Sequence, residues 1–249
     1  MRIKVMSFNL RLKVEADGIN NFENRKGRVL EVIKRELPDL IGFQEATNSM
    51  RAWLREVLSD SYIVLGCGRN ADYRGETPCL AYRKDIFELV SLDSFWLSDT
   101  PEVPGSRYQS LDQSSCPRVT FCATLSPQGR EDCIRFINTH LDHSGAQARV
   151  HGMKQILDKL GDGTFVLTGD MNATPDSECI AIINAVEGVT DLTAHIPTTF
   201  HNFGRLNTDF KIDYIFTNAT PVDAYAIEDG PIDGVYISDH YPVVATIDI

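Results

Sequence analysis

Several stretches of the 249-residue chain place a chemically capable polar residue where an apolar strand pattern stops. The run Ile3 to Phe8 leads into Asn9, Leu40-Ile-Gly-Phe-Gln closes on Glu45, and Phe136-Ile-Asn-Thr leads to His140, Asp142 and His143. Phe165-Val-Leu-Thr-Gly ends in Asp170 and Asn172, Asp213 opens the run Tyr214 to Phe216, and Ser238-Asp239-His240 precedes Val243 to Ile247. Carboxylates suit a hard divalent cation such as Mg2+, and amides and imidazoles suit phosphoryl oxygens, so the donor set matches a cation-assisted phosphate site. Each piece alone is weak. Gly169-Asp170-x-Asn172 is often just a turn closed by Asx hydrogen bonds, and a lone strand-end histidine is usually a satisfied structural residue. The combination in order is the signal.

The elements that must position these residues are mostly strands. Apolar runs of strand length occur at Ile3 to Phe8, Leu40 to Phe43, Tyr62 to Leu65, Val119 to Leu125, Ile134 to Ile137, Phe165 to Leu167, Tyr214 to Phe216 and Val243 to Ile247. Helical stripes are fewer: Val29, Leu30, Ile33 and Leu37 before Pro38; Met50 to Leu58; and Val150, Met153, Leu157 and Leu160 before Gly161. Strands follow strands without an intervening helix between about residues 62 and 140, which argues for packed sheets with helices outside, an α+β layering, and against a doubly wound parallel sheet. The stretch Ser98 to Ser115, rich in Ser, Asp, Pro and Gly, reads as a long surface loop. No repeat or linker divides the chain, so residues 1–249 are expected to form one domain.

The ordered set Phe8-Asn9, Gln44-Glu45, Asn138-Thr139-His140, Gly169-Asp170-x-Asn172, Asp213-Tyr-Ile-Phe216 and Ser238-Asp239-His240 resembles the endonuclease/exonuclease/phosphatase superfamily, the DNase-I-like metal-dependent phosphoesterases. The resemblance covers essentially the whole chain and implies a four-layer α/β/β/α sandwich with the site at one end of two packed sheets. Phe95 to Pro101 with Pro104-Gly-Ser106 looks like an uncharacterised bacterial branch near the deadenylase-like members. Carried over by position, the resemblance implies Glu45 as the principal metal ligand, with Asn9 and Asp239 beside it. It implies Asp170 as the group that orients or deprotonates the attacking water, and Asn172 as the one that holds that water or a phosphoryl oxygen. His240 would hydrogen-bond the scissile phosphate with Asp213 fixing its ring, His140 resembles the second family histidine, and Glu76 is the candidate carboxylate to orient it. Arg118, His143, Arg149 and His201 are further candidates for substrate contact, each weighed against an ordinary surface or helix-face role. The implied cofactor is Mg2+, with Mn2+ as the alternative. No Ser or Cys nucleophile motif is present, so direct attack by water is expected.

Composition narrows the substrate. Lys and Arg number 24 against 35 Asp and Glu, a net charge of -11, which argues against the basic face that duplex nucleic acid requires. No apolar run or hairpin suggests bilayer contact, so a sphingomyelinase-like activity fits less well than hydrolysis of a small phosphate ester or a short single-stranded oligonucleotide. The six scattered cysteines form no CxxC pair and read as free thiols; with no secretory pattern at the N-terminus, a cytoplasmic location is expected. The rival from another class is a binding module that has lost catalysis, which would be expected to lose Glu45, Asp170 or His240 first.

Overall fold

A computed structural model of the chain describes residues 1–206, 208 and 210–249. In chain order the first half gives β1 (Arg2–Asn9), α1 (Phe22–Glu36), β2 (Leu40–Gln44), α2 (Asn48–Val57), β3 (Tyr62–Leu65), β4 (Leu80–Arg83), β5 (Phe87–Trp96) and β6 (Val119–Pro127). The second gives β7 (Ile134–His140), α3 (Ala146–Leu157), β8 (Thr164–Asp170), α4 (Glu178–Asn184), β9 (Thr190–Asp191), β10 (Asp213–Thr217), β11 (Thr220–Ala226) and β12 (Val243–Asp248). Among the described residues these strands form two six-stranded sheets, ordered β11-β12-β1-β2-β4-β3 and β5-β6-β7-β8-β10-β9.

Each sheet is antiparallel except for one parallel pair, β1 with β2 and β7 with β8. A parallel pair needs a crossover, and α1 and α3 supply it. Between the sheets lies a core that includes Val5, Leu40, Phe121, Phe136, Val166, Ile215 and Val243. Outside the first sheet, Val29 and Ile33 of α1 and Met50 and Leu54 of α2 pack on Met6, Phe8, Ile41 and Phe43. Outside the second, Met153 and Ile156 of α3 and Ile180 and Ile183 of α4 pack on Ile137, Leu167 and Tyr214. The result is the expected α/β/β/α layering, and Leu40-Ile-Gly-Phe-Gln is buried throughout because both faces of β2 are covered.

The sheets approach closely at Gly42. A Cβ there would stand 2.1 Å from Thr168 Oγ1 and 2.6 Å from Asn138 Oδ1, so only glycine fits. Asn138 then bridges the gap: its Nδ2 donates to the carbonyls of Phe43 and Cys79, both at 2.8 Å, while its Oδ1 accepts from Gln44 at 2.8 Å and from Thr168 at 3.1 Å.

A second polar anchor is Arg25 of α1, whose side chain is fully buried. Its guanidinium donates to the carbonyls of Asn20, Leu10, Ile237 and Arg11, tying the loop after β1 to the segment that leads into Ser238-Asp239-His240. Burial pulls its pKa down to about 10, which leaves it charged at neutral pH. Arg25→Met keeps the volume but strands those buried carbonyls, and is expected to cost about 3 kcal/mol in urea unfolding. Arg2→Ala, which breaks an exposed pair with Asp248, should leave the urea midpoint nearly unmoved.

Candidate active site

The parallel strands of both sheets deliver their carboxyl ends to one place. Asn9 pairs with Gln44 at the ends of β1 and β2, His140 pairs with Asp170 at the ends of β7 and β8, and Asp213 faces Asp170 from β10. Asn9 crosses between the sheets: its Nδ2 donates to Asp170 Oδ2 at 2.8 Å and to Glu45 Oε1 at 3.2 Å. Its oxygen accepts the Arg11 amide at 2.9 Å, so Asn9 holds the two carboxylates together through its amide nitrogen and keeps one lone pair of its oxygen free. Glu45 Oε2 accepts the Leu12 amide at 2.8 Å. Arg11, Glu45 and Asn172 hold positive φ angles of 53°, 62° and 46°, left-handed conformations that cost a non-glycine residue of the order of 1 kcal/mol and concentrate at functional sites.

Asp170 is the focus. Its Oδ2 lies 3.4 Å from His140 Nε2 and 3.9 Å from His240 Nε2, and its Oδ1 accepts the Asn172 amide at 2.9 Å. Burial, aided by the neighbouring Asp213 carboxylate, pushes Asp170 up to about 7. Asn172 also donates through its side chain to the Leu141 carbonyl at 3.0 Å, which fixes it beside Asp170. The two imidazoles diverge. Burial alone would lower His240, but Asp213 Oδ2, accepting from Nδ1 at 2.8 Å, outweighs it and holds the ring up at about 10. His140 is held well below the usual range by burial and by the nearby cations Arg118 and Arg69, so it is neutral. One ring is thus a cationic donor and the other is not.

These groups line a cleft of about 520 Å3. Of the residues singled out by sequence, Glu45, Glu76, Arg118, His140, His143, Asp170, Asn172, Asp239 and His240 line it. Asp239 is raised first by burial, lies 3.6 Å from Arg11 through Oδ2, and accepts from the Ser238 hydroxyl at 3.3 Å through Oδ1. Three expectations are corrected. Glu76 does not orient His140: both its oxygens accept from Arg69, at 2.6 and 2.9 Å. Arg149 turns its guanidinium back to the Asp142 carbonyl at 2.9 Å, as its place on the first turn of α3 allows, and does not line the cleft. His201 is buried, stacks on Tyr241 with ring centroids 4.1 Å apart, and accepts the Gly204 amide through Nδ1; burial lowers it to about 4. It too stands off the cleft. The sequence reading passed over Arg11, Arg69, Phe200 and Phe210, which all line it; Phe200 packs 4.8 Å from the His240 ring and 5.8 Å from Phe210. Its adjacency to His201 was the available signal, and it went unread.

The long connection between β5 and β6 is held to this end of the sheets. Asp142 accepts from the Ser114 amide and hydroxyl and from the Ser144 and Gly145 amides, which brings Cys116 and Arg118 to the cleft wall. Trp96 is buried with its indole donating to the Arg69 carbonyl, and Trp53 packs edge-on against Phe22, so both are anchors.

Ligand atoms of Glu45, His140 and Asp170 lie within 4.8 Å of one another, as do those of Asp170, Asp213 and His240. In the first group the carboxylates suit a divalent cation, which leaves the neutral His140 ring free to donate. In the second, the Asp213–His240 pair already satisfies itself, which makes it the poorer host.

Two six-stranded sheets with an acid–imidazole cleft at the carboxyl ends of their parallel strands define a DNase-I-like sandwich. The chain belongs to the Endonuclease/Exonuclease/phosphatase family, whose model matches residues 6–240, and whose members are hydrolases acting on phosphoester bonds. A family protein from Bacteroides vulgatus superposes with a TM-score of 0.92 at 29% identity, covering 100% of this chain and 99% of that one. A mannosyl-6-phosphatase from Bacteroides thetaiotaomicron superposes with a TM-score of 0.88 at 24% identity over 98% of each chain. An uncharacterized protein of Acanthamoeba polyphaga mimivirus is 25% identical over 97% of this chain and 98% of its own.

The His240–Asp213 pair makes a pH prediction for the cation-free protein. His240 is raised above its ordinary 6.5, so the pair contributes stability that is complete below pH 6.5 and is lost as pH rises through about 10. Asp213→Asn is expected to bring the ring's titration, followed by NMR of the imidazole, down toward 6.5 and to flatten the loss of stability across that window. A titration still near 10 would mean that another charge holds the proton.

Proposed function

We propose that this chain is a Mg2+-dependent phosphoesterase, Mn2+ being the alternative ion, that hydrolyses a phosphate ester by in-line attack of water. The observation that carries this reading is the convergence on Asp170 Oδ2 of an amide, a neutral imidazole and a cationic imidazole, beside Glu45. Glu45 would hold the ion, with Asn9 and Asp239 at its sides and Asp170 facing the same space from the second sheet. When bound, the ion supplies positive charge that offsets negative charge on the phosphoryl oxygens. Asp170, pushed up to about 7, is suited to orient water and take its proton near neutral pH. Asn172 holds the water or a phosphoryl oxygen, and the cationic His240, kept by Asp213, donates to the phosphoryl group as charge builds there. His140 donates from the other side as a neutral ring. The water oxygen bonds to phosphorus as the ester P–O bond breaks, the departing alkoxide takes a proton from solvent, and Asp170 returns to solvent the proton it took.

The net charge of -11 and the local nature of the arginine-lined cleft favour a small phosphate ester or a short single-stranded oligonucleotide over duplex nucleic acid. Among the described residues no helix is long and apolar enough to cross a membrane. The six free cysteines support a reducing, cytoplasmic setting, and the layered core supports action as one domain.

Hydrolysis of p-nitrophenyl phosphate and bis(p-nitrophenyl) phosphate, assayed with Mg2+ or Mn2+ and again after EDTA, tests the proposal. Activity should vanish with EDTA and fall about 10³-fold in Asp170→Ala. A folded protein that cleaves neither ester and binds no divalent ion is a binding module instead. Asp213→Asn should cut turnover while leaving Mg2+ affinity by calorimetry nearly unchanged, since it acts through His240; parallel loss of both would overturn that role.

A further inference from the structure

One cleft residue has hydrogen-bonding capacity that the hydrolytic scheme leaves unused. Arg118 is 4% exposed, yet its Nε and Nη1 have no hydrogen-bond partner among the described residues. Its Nη2 donates to His143 Nδ1 at 2.9 Å. Asp142 Oδ2 stands 3.7 Å from Nε, but the Asp142 carboxylate is already occupied by Ser114, Ser144 and Gly145. The other lining arginines are committed: Arg11 donates twice to Asp17 and Arg69 twice to Glu76. Arg118 and Arg69 also border, with Glu45, His140 and the Glu76 carboxylate that Arg69 neutralises, a small side pocket beside the candidate cation group. A guanidinium buried with hydrogen bonds unmade is costly, and an anionic oxygen is the partner its planar fork fits best.

We propose that Arg118, held by His143, binds a terminal oxygen of the scissile phosphoryl group and thereby selects phosphomonoesters over phosphodiesters. The proposal rests on the phosphoesterase reading above and names its substrate class. A monoester carries a charge of about -1.5 to -2 at neutral pH and three terminal oxygens. A diester carries a single charge, and its second organic arm would set an uncharged ester oxygen and carbon against the buried guanidinium. His140, His240 and the bound ion serve the oxygens that both esters share; Arg118 serves the one that only the monoester has. The monoester's single organic arm is left to the Phe200–Phe210 wall on the His240 side.

The test compares p-nitrophenyl phosphate with methyl p-nitrophenyl phosphate in Mg2+, using inorganic phosphate as the binding probe. Arg118→Met should lower kcat/KM on the monoester about 10²-fold and on the diester far less, and should weaken inhibition by inorganic phosphate to a similar degree. His143→Ala, at an exposed position, should move the same ratio in the same direction by a smaller factor, and it remains informative if Arg118→Met does not fold. An active wild-type enzyme whose monoester-to-diester ratio and phosphate inhibition are unchanged in the folded variants overturns the anion subsite alone. A wild-type protein inactive on both esters with either ion overturns the phosphoesterase reading, and the subsite with it.

Discussion

The close contact between the two sheets, where Gly42 of β2 lies against Asn138 and Thr168, is the constraint on which the rest of the structure depends. Strands in separate sheets share no backbone ladder, so nothing in either sheet fixes how far one slides along the other. Asn138 fixes it by bonding to two carbonyls of the first sheet and to the Gln44 amide. It stands two residues before His140, and Gln44 stands directly before Glu45. Sliding one sheet along the other by one residue would move a side chain by roughly 3.3 Å, enough to part Asn9 from Asp170. The 2.8 Å contact between those two is therefore a consequence of the staple behind it.

Bringing Glu45, Asp170, Asp213 and Asp239 to one buried end would repel the sheets if nothing intervened. The structure answers in three ways. Asn9 donates to two of the carboxylates at once, His240 takes a proton that Asp213 holds in place, and Asp170 is pushed toward neutrality. Strain is accepted in the same place, with Arg11, Glu45 and Asn172 all in left-handed backbone. A residue such as Glu45 gains nothing for stability from that conformation; what it gains is a carboxylate aimed across the sheet gap. The excess of acidic charge seen in the sequence is thus partly a site property, and the arrangement is one that a divalent cation would relax.

Most strands buried on both faces were legible as apolar runs, the four-residue β4 being the exception, and so were the polar residues at their ends, because a strand's direction fixes where its last side chain goes. The edge strand β5 was not, since residues 88–94 are exposed and show no alternation; β11, exposed from Thr220 to Asp223, escaped for the same reason. Within the site, Glu76 was placed in the right cleft and given the wrong partner. Its pairing depends on Arg69, seven residues earlier across a turn whose conformation no periodicity encodes. His201 and Arg149 went astray similarly: a ring stack on Tyr241 and a bond to the Asp142 carbonyl are local satisfactions that compete with function for the same side chains. Phe210 carries no chemical signal and Phe200 only its adjacency to His201, because an aromatic residue reads as core until the fold leaves it at a cleft.

The labour is divided between sheets and loops. Strand ends supply the reacting groups, and their positions are set by register; the walls come from loops, and Asp142 is the joint between the two, ending one strand while gripping Ser114 so that Arg118 reaches the cleft. This division explains how a chain of net charge -11 can favour an anionic substrate. Beyond about 8 Å at physiological salt, surface charges are largely screened, so a small anion inside the cleft responds to Arg118, His240 and a bound ion and scarcely to the acidic exterior. An extended polyanion must lie along that exterior and meet its repulsion at every step. Under the proposed function, the same charge distribution would admit a small phosphate and disfavour a long one, with selection made by size as much as by chemistry.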